Sequence, residues 1–366
     1  MQSFSLFKRP LSGFFILVLL AFNACKQPDN APPITGTVLV TNEGNFSQGN
    51  GEVSLLNPQT REIANAAYTA RNGGLPGGLV QSLTIHNGKA YIAVGSSNNT
   101  NDKIEIVEAN NLQKITSVTS NATSKIIIPR YAAVANNKLY VSNWGNYDAS
   151  FNSPNSFIAV IDLSNNTLIK NISVGSRPEG IVVVQDKIYV ANQKANTVSI
   201  INPSTDAVET TINTPKNPTQ IVVDTENNLW VMCNDGNGKL IKIDTKTNTL
   251  AIEQTYALST FSTNGKIGIS PDKKKIYFVA SEAFPSKKTN IYSVDITNFI
   301  PANPVLFLSA ESIYGLGIDP NDGSVYVGFA PSFSGAGTVK RYQADATEVS
   351  THTAGIAPNG FAFLNQ

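Results

Sequence analysis

A short strand pattern that recurs along the chain constrains the fold more than any other feature of the sequence. Seven segments are built like "KIYVAN" (187–192), in which apolar residues flank an aromatic residue or a leucine. Their central residues are Leu39, Tyr91, Tyr140, Tyr189, Trp230, Tyr277 and Tyr326. Successive spacings of 52, 49, 49, 41, 47 and 49 residues are typical of propeller blades and other repeat arrays.

Each repeat reads as four short antiparallel strands. In one unit, "GIVVV" (180–184) is the inner strand, "KIYVAN" (187–192) the second, "TVSIIN" (197–202) the third and "AVETTIN" (207–213) the outer strand. Turn signals such as "NN", "DG" and "SPD" separate the strands, and no helix-length period of 3.6 residues interrupts them. The pattern therefore predicts an all-β protein.

The two ends of the repeat region each lack part of a blade. "PNGFAF" (358–363) is an inner strand with no second strand after it, whereas "TVLVTNEGN" (37–45) is a second strand with no inner strand before it. One four-stranded sheet cannot bury both of its faces, but seven sheets stacked around an axis can. We therefore predict a seven-bladed β-propeller of four-stranded antiparallel blades over residues 36–366, closed by the N- and C-terminal strands in one mixed blade.

The residues before the repeats have the pattern of a secretory signal. Lys8 and Arg9 precede an apolar run, 14–22, that is too short for a comfortable membrane span. Removing these two cations takes the formal net charge from +1 to −1, so the mature protein has no overall basic field. We expect residues 1–24 to be a signal peptide and nucleic acid not to be a partner.

The end of the signal indicates a lipid anchor. Ala24 followed by Cys25 is where a bacterial lipoprotein signal is cut and acylated, so we expect Cys25 to carry lipid and residues 25–35 to form a proline-containing tether. A plain signal peptide cut nearby, which would give a secreted or periplasmic protein, is the alternative. If Cys25 is acylated, only Cys233 remains and no internal disulfide forms.

Several stretches carry a family resemblance. "VGSRPEGIVV" (174–183) and "KIYVANQKANTVSIIN" (187–202) are similar to the YVTN-type seven-bladed propeller repeat, which residues 36–363 fit. "VTNEGNFSQGNGEVSLLN" (40–57) and "IPRYAAVANNKLYVSNWGN" (128–146) resemble more narrowly Bacteroidota surface lipoproteins of this class, some of which capture cobalamin for an outer-membrane transporter. The resemblance implies a lipid-anchored protein of the outer membrane or cell surface, with cobalamin or a similar large cofactor as ligand.

The predicted strand order divides the connections between two ends of the ring. Turns such as "NNK", "QDK" and "LSNNT" at the first end are short and generic. Connections at the second end are long and irregular, as in "NEGNFSQGN" (42–50), "NWGNYDASFNSPN" (143–155) and "APSFSGAG" (330–337). Variable loops on a rigid scaffold usually carry binding, so the second end is the predicted functional face.

The candidate ligand-binding residues all come from the second end. Those at the starts of inner strands, around the expected channel mouth, are Arg130, Tyr131, Arg177, Glu179, Gln220, Asn264, Tyr314 and Asn359. Those expected to give flat apolar contact are Phe46, Trp144 and Tyr147, and those expected to give amide hydrogen bonds are Asn45, Asn143 and Asn192. The alternative is that these Tyr and Trp residues pack between blades and the Asn residues cap turns.

The residues that catalysis would need are sparse. The two histidines, His86 and His352, fall in a first-end turn and an outer strand, away from the channel. Glu43 and Glu179 form the only plausible carboxylate pair for a lactonase, and their more ordinary role is pairing with Arg130 or Arg177. We therefore expect a binding protein with no catalytic residue, metal or cofactor. The alternatives are an envelope scaffold or adhesin that binds protein or glycan, and a propeller hydrolase.

Overall fold

A computed structural model describes residues 1, 37–96, 98–234, 236, 238–256, 265–282, 286, 288–298 and 303–364. The predicted signal peptide, Cys25, the tether and Asn264 lie outside these residues. The described strands form seven four-stranded antiparallel sheets, and the innermost strands of successive sheets contact one another around a complete ring. The predicted seven-bladed β-propeller is confirmed.

The chain enters the ring through three strands and a short helix, followed by two complete sheets. The first elements are β1 (Val38–Asn42), β2 (Glu52–Asn57), β3 (Glu62–Ala64) and α1 (Ala67–Asn72). The next sheet has β4 (Leu79–His86), β5 (Lys89–Gly95), β6 (Lys103–Glu108) and β7 (Lys114–Thr119). The sheet after it has β8 (Pro129–Ala135), β9 (Lys138–Asn143), β10 (Phe157–Asp162) and β11 (Thr167–Ser173).

Four further sheets complete the circuit. Two consist of β12 (Pro178–Val184), β13 (Lys187–Asn192), β14 (Thr197–Asn202), β15 (Ala207–Asn213), β16 (Pro218–Val223), β17 (Leu229–Cys233), β18 (Lys239–Asp244) and β19 (Thr249–Thr255). The next two consist of β20 (Ile267–Ile269), β21 (Lys275–Ser281), β22 (Lys288–Asp295), β23 (Val305–Glu311), β24 (Ile313–Ile318), β25 (Val325–Phe329), β26 (Ala336–Tyr342) and β27 (Glu348–Ile356). The final strand, β28 (Pro358–Phe363), is the inner strand of the sheet ordered β28-β1-β2-β3.

The mixed sheet closes the ring as predicted. β28 pairs antiparallel with β1, so that Val40 lies opposite Phe361 and Leu39 opposite Ala362. β28 also contacts β24 and β4, the inner strands of the two sheets that flank the mixed sheet in the ring. Strands from the two ends of the repeat region therefore complete one blade through backbone hydrogen bonds.

Two second-strand tyrosines join their blades to the next ones. Tyr140 is fully buried, and its hydroxyl donates to Asp206 Oδ1 at 2.5 Å, across to the turn between β14 and β15. Tyr189 repeats the contact one blade further on, where its hydroxyl donates to Asn248 Oδ1 at 3.1 Å. These two tyrosines therefore pack between blades and hold neighbouring sheets together.

Glycines let the inner strands approach closely. A Cβ atom at Gly180 would lie 2.7 Å from Cα of Gln220, and one at Gly317 would lie 2.7 Å from Cβ of Phe361. Both distances are too short for a side chain, so these two positions permit contact between neighbouring inner strands that any other residue would prevent.

Helix α1 was not predicted, because a six-residue helix is too short to produce a detectable helical period. It follows the three-residue outer strand β3, and Tyr68 packs in the core between the mixed sheet and the next one. The Glu52 carboxylate accepts hydrogen bonds from the backbone N–H groups of Tyr68 and Thr69, at 3.1 and 3.3 Å. These bonds satisfy donors that a helix N-terminus otherwise leaves unpaired.

Replacing Tyr140 by Phe should lower the free energy of unfolding by about 2 kcal/mol, because the substitution removes a hydrogen bond to a carboxylate between blades. Tyr326 is the matched control, since it is also a fully buried second-strand tyrosine, yet its hydroxyl has no hydrogen-bond partner within the described residues. Tyr326→Phe should be neutral within about 0.5 kcal/mol or stabilising. Urea denaturation of both variants makes the comparison, and equal losses would refute the role given to the Tyr140 contact.

Candidate functional site

The structure confirms that the two ends of the ring differ. Because neighbouring strands are antiparallel and sequential, all second-to-third connections emerge at the same end as the starts of the inner strands. We call this end the loop face and define it by the connections 43–51, 144–156 and 330–335 together with the inner-strand starts. First-to-second turns at the other end are short, as at 136–137 and 185–186.

A β-bulge at the start of the inner strand aims side chains at the channel. In the sheet of β8, Pro129 lies opposite Asn143 and Ala132 opposite Val141, so two residues face one across the ladder. A bulge of this kind redirects the extra side chain. Five other described sheets have the same irregularity, and the bulged residues are Gln81, Arg130, Tyr131, Glu179, Gly180, Thr219, Gln220, Tyr314 and Asn359.

The residue before each bulged strand usually has a left-handed backbone. These residues are Ile128, Arg177, Asn217, Ser312 and Ala357, with φ between 52° and 62°. A β-branched residue rarely adopts such a φ, so Ile128 must be held there by its surroundings. Its N–H donates to Asp102 Oδ2 at 2.6 Å, and its carbonyl accepts from Trp144 N–H at 3.2 Å.

The bulged residues and adjacent loops enclose a cavity of about 240 Å³, which we call the mouth. Its lining residues are Glu43, Gln81, Arg130, Tyr131, Trp144, Glu179, Gln193, Thr219, Gln220, Gly265, Lys266, Tyr314 and Asn359. The mouth brings together seven predicted site residues, namely Arg130, Tyr131, Trp144, Glu179, Gln220, Tyr314 and Asn359.

A chain of hydrogen bonds runs around the mouth through five consecutive sheets. The Tyr314 hydroxyl donates to Glu43 Oε2, and Gln81 Nε2 donates to Glu43 Oε1 at 2.9 Å. Arg130 Nη1 donates to Gln81 Oε1, and Arg130 Nε lies 3.4 Å from Glu179 Oε1. We call these five residues the polar arc. The predicted pairing of Glu179 with an arginine is present, whereas Glu43 pairs with an amide and a phenol.

Burial and neighbouring groups shift the pKa of two residues in the polar arc, Tyr314 and Arg130. Burial, followed by the charge of Glu43, raises the pKa of Tyr314 well above its ordinary value, so the phenol is a neutral donor near neutral pH. Burial opposes the charge on Arg130, but the attractions of Glu179, Tyr131, Glu43 and Tyr314 together outweigh it and raise the pKa of the guanidinium. Arg130 is therefore charged at any physiological pH.

An aromatic group forms one wall of the mouth. The guanidinium of Arg130 lies 4.5 Å from the centroid of the Trp144 ring, and that of Arg177 lies 5.0 Å from it. Tyr147 packs edge-on to Trp144, with ring centroids 6.4 Å apart, and Phe151 contacts Tyr147 at the same distance. Arg177 and Tyr147, both predicted site residues, thus reach the mouth through Trp144.

A second aromatic group lies where the last complete sheet meets the mixed sheet. Phe333 packs edge-on to Tyr314, with centroids 5.1 Å apart, and its backbone carbonyl accepts from Asn45 Nδ2 at 2.9 Å. Phe46, next to Asn45, has 66 % of its surface exposed. The predicted residues Asn45 and Phe46 therefore belong to the rim of the loop face, and Asn45 ties two loops together.

The structure does not bring Asn143 and Asn192 to the mouth. Each ends a second strand and is fully buried. Asn143 Oδ1 accepts from Ile127 N–H at 2.9 Å, and Asn192 Nδ2 donates to Ser199 Oγ at 2.8 Å. Their amides hold strands and blade connections together, so we leave both residues out of the candidate site.

Sequence reasoning missed several mouth residues. Gln81 joins the polar arc, but its strand does not begin with the proline that precedes Arg130, Glu179, Thr219 and Asn359, so nothing in its local sequence marks a bulge. Gln193, Thr219, Gly265 and Lys266 also line the mouth. The repeated segments "IPRY", "RPEG", "NPTQ" and "APNG" are the signal that identifies the bulged positions of the proline-containing strands.

The described residues contain no cluster of three or more His, Cys, Asp or Glu side chains that could hold a metal ion. His86 ends β4, at the end of the ring away from the mouth, and His352 lies on the outer strand β27, hydrogen-bonded to Ser350 Oγ at 2.9 Å. Cys233 is fully buried in β17.

The helical part of the described chain offers no segment long and apolar enough to cross a membrane.

A family model described as a domain of unknown function, DUF5074, matches residues 36–357. The chain belongs to this family. Comparison of the DUF5074 chain with curated proteins finds no match. Solved structures with low sequence identity to this chain share its fold. At such identity the likeness shows the propeller architecture and nothing further.

Three solved structures illustrate the likeness. A protein from Lactobacillus plantarum has a TM-score of 0.65 and 13 % identity, covering 90 % of this chain and 99 % of that one. A candidate 6-phosphogluconolactonase from Bacteroides fragilis has a TM-score of 0.63 and 14 % identity, covering 90 % and 98 %. Hydrazine synthase from Kuenenia stuttgartiensis has a TM-score of 0.60 and 16 % identity, covering 77 % and 88 %.

Replacing Arg130 by Met should cost about 3 kcal/mol of stability, because it leaves the buried Glu179 carboxylate without its guanidinium. The control is Lys187→Met. Lys187 and Glu209 are closer, at 2.6 Å, but their side chains are 38 % and 30 % exposed, against 21 % and 9 % for Arg130 and Glu179. The control should lose at most about 1 kcal/mol. Chemical denaturation measures both, and a larger loss for the exposed pair would contradict the burial of the polar arc.

Proposed function

We propose that this DUF5074 protein is a lipid-anchored cell-envelope protein that captures a solute on its loop face, around the channel mouth. The proposed solute is cobalamin or a similar large cofactor, delivered to a partner transporter in the outer membrane, and the protein is not an enzyme. The resemblance of residues 40–57 and 128–146 to surface lipoproteins supports the class of solute, and the sequence around Cys25 supports the anchor.

The observation that carries the proposal is the position of the exposed aromatic side chains. Within the described residues, these side chains are Phe46, Tyr147, Phe151 and Phe333, with 66 %, 42 %, 75 % and 53 % of their surfaces exposed. All of them belong to second-to-third connections of the loop face. Scattered exposed apolar residues need no explanation, but aromatic residues gathered on one face around a cavity indicate an interaction surface.

The polarity of the mouth supports a large ligand that is neutral overall. Its lining includes two carboxylates, Glu43 and Glu179, and two cations, Arg130 and Lys266. The opposite charges balance, so the mouth has no strong field of either sign. Amide groups of Gln81, Gln193, Gln220 and Asn359 offer both donors and acceptors, and the aromatic rim offers flat apolar contact.

A hydrolase is the second candidate, because a fold neighbour is described as a candidate 6-phosphogluconolactonase. In this chain Glu43 and Glu179 would have to act as the general acid and the general base. Glu43 accepts two hydrogen bonds in the polar arc, and Glu179 pairs with the guanidinium of Arg130. Such bonds favour a structural role for both carboxylates, so we rank the hydrolase below the binding protein.

The purified full-length protein should bind cobalamin at micromolar concentration and co-elute with its red chromophore. Replacing both Trp144 and Tyr147 by Ala should weaken the affinity at least tenfold, because it removes the aromatic wall that would contact the ligand. Val305→Ala, an exposed position on outer strand β23, should leave affinity unchanged. Circular dichroism of the variants would show that the ring remains folded.

Four results would contradict the proposal. Colourless protein after incubation would exclude cobalamin. Unchanged affinity in the Trp144 and Tyr147 double variant would remove the loop face as its site. Lactone hydrolysis that disappears in Glu179→Gln would replace the binding protein with the hydrolase, whereas glycan or protein binding to the same loops would favour the scaffold or adhesin.

A further inference from the structure

A second cavity continues inward from the mouth along the axis of the ring. Its volume is about 460 Å³. Both cavities share a set of lining residues that we call the collar, namely Gln81, Tyr131, Gln220, Lys266 and Asn359. The mouth and this inner channel therefore meet at a shared set of polar side chains.

The inner channel has a mainly apolar wall beyond the collar. Its large apolar lining residues come from the inner strands of six of the seven sheets and are Leu83, Ile181, Ile221, Ile267, Ile269, Leu316, Ile318, Phe361 and Phe363. Apolar surface that faces a solvent-connected space gains free energy when an apolar group replaces the water there.

The hydroxyl groups in the channel wall are already bonded to protein. Ser82 Oγ donates to the carbonyl of Arg130 at 2.5 Å, and Thr84 Oγ1 donates to the carbonyl of Ala132 at 2.9 Å. Thr41 Oγ1 donates to Asn359 Oδ1 at 2.6 Å. The hydroxyls of Ser82 and Thr84 join neighbouring inner strands, and that of Thr41 joins β1 to β28 within the mixed sheet. All three already have protein partners, so they add little demand for hydrogen bonds from the contents of the channel.

We infer that the inner channel binds the apolar chain of an amphipathic solute whose polar group stays at the collar. The two parts of the cavity differ in polarity. Apolar side chains line the inner channel, whereas amide, phenol and ammonium groups line the collar. Pockets of this kind use a few polar groups to orient a ligand whose apolar part supplies most of the affinity. Among the collar residues Lys266 carries a positive charge, and its ammonium suits a carboxylate or phosphate head group.

The inference rests on the proposed function, because it identifies the ligand group that binds in the inner part of the same site. Cobalamin has no apolar chain, so a solute that fills the channel is a different large cofactor or a lipid-like molecule. Binding of cobalamin therefore tests the rim, and binding of a chain tests the channel. Either experiment can fail while the other succeeds.

The test titrates straight-chain carboxylates of increasing length, from butyrate to palmitate, into the full chain carrying Cys25→Ser. This substitution removes the predicted acylation site, so that the protein's own lipid cannot occupy the channel. Calorimetry should show affinity rising about fourfold for each added methylene until the chain fills the channel, and then levelling off. Affinity that does not depend on chain length would overturn the inference.

Variants separate the channel from the aromatic rim. Leu83→Gln places an amide in the channel wall and should lower palmitate affinity at least tenfold, as should Ile269→Gln if the first variant fails to fold. Leu250→Gln, at an exposed position on outer strand β19, is the matched control and should leave affinity unchanged. If Trp144→Ala weakens palmitate binding while Leu83→Gln and Ile269→Gln do not, the chain binds at the rim and the inference is wrong.

Discussion

The backbone pairing of β28 with β1 is the interaction on which the rest of the structure depends. A propeller blade has two large faces, and each is buried only while a blade stands on both sides of it. The register of Val40 with Phe361 and of Leu39 with Ala362 completes the last blade and so removes the free edges that an open array would leave. With the ring closed, every sheet has a neighbour on both faces, and buried apolar residues pack between adjacent sheets, as they do on either side of the mixed sheet.

Closure also builds the candidate site. Asn359 sits in the bulge of the closing strand, where its Nδ2 donates to the carbonyl of Val80 at 3.0 Å and its Oδ1 accepts from Thr41. Glu43, directly after β1, connects Tyr314 to Gln81 in the polar arc. The mixed blade therefore supplies residues to the mouth, the collar and the channel at once. An opened ring would lose the site together with the fold.

Sequence reasoning predicted the seven-bladed ring but not the short helix α1, and it identified part of the candidate site. The repeated tyrosines, such as Tyr140, and the two incomplete ends predict the ring because strand period and strand count are properties of the sequence. Trp144 was identified from its long loop, but Asn143 beside it was assigned to the ligand although its amide is buried in the blade. The direction of a side chain depends on pleat and bulge, and no local residue pattern distinguishes Gln81 from an ordinary strand residue. Cross-blade contacts like that of Gln81 with Arg130 form only when neighbouring blades pack against each other.

The most direct test of this account is native-state hydrogen exchange of the backbone amides that pair β1 with β28. If closure is an integral part of one cooperative ring, these amides should exchange as slowly as those of an internal strand such as β13, through global unfolding alone. Faster exchange of β1 and β28, while the amides of the other six sheets remain protected, would show that the ring opens locally at this blade and would contradict the claim that the rest of the structure depends on it.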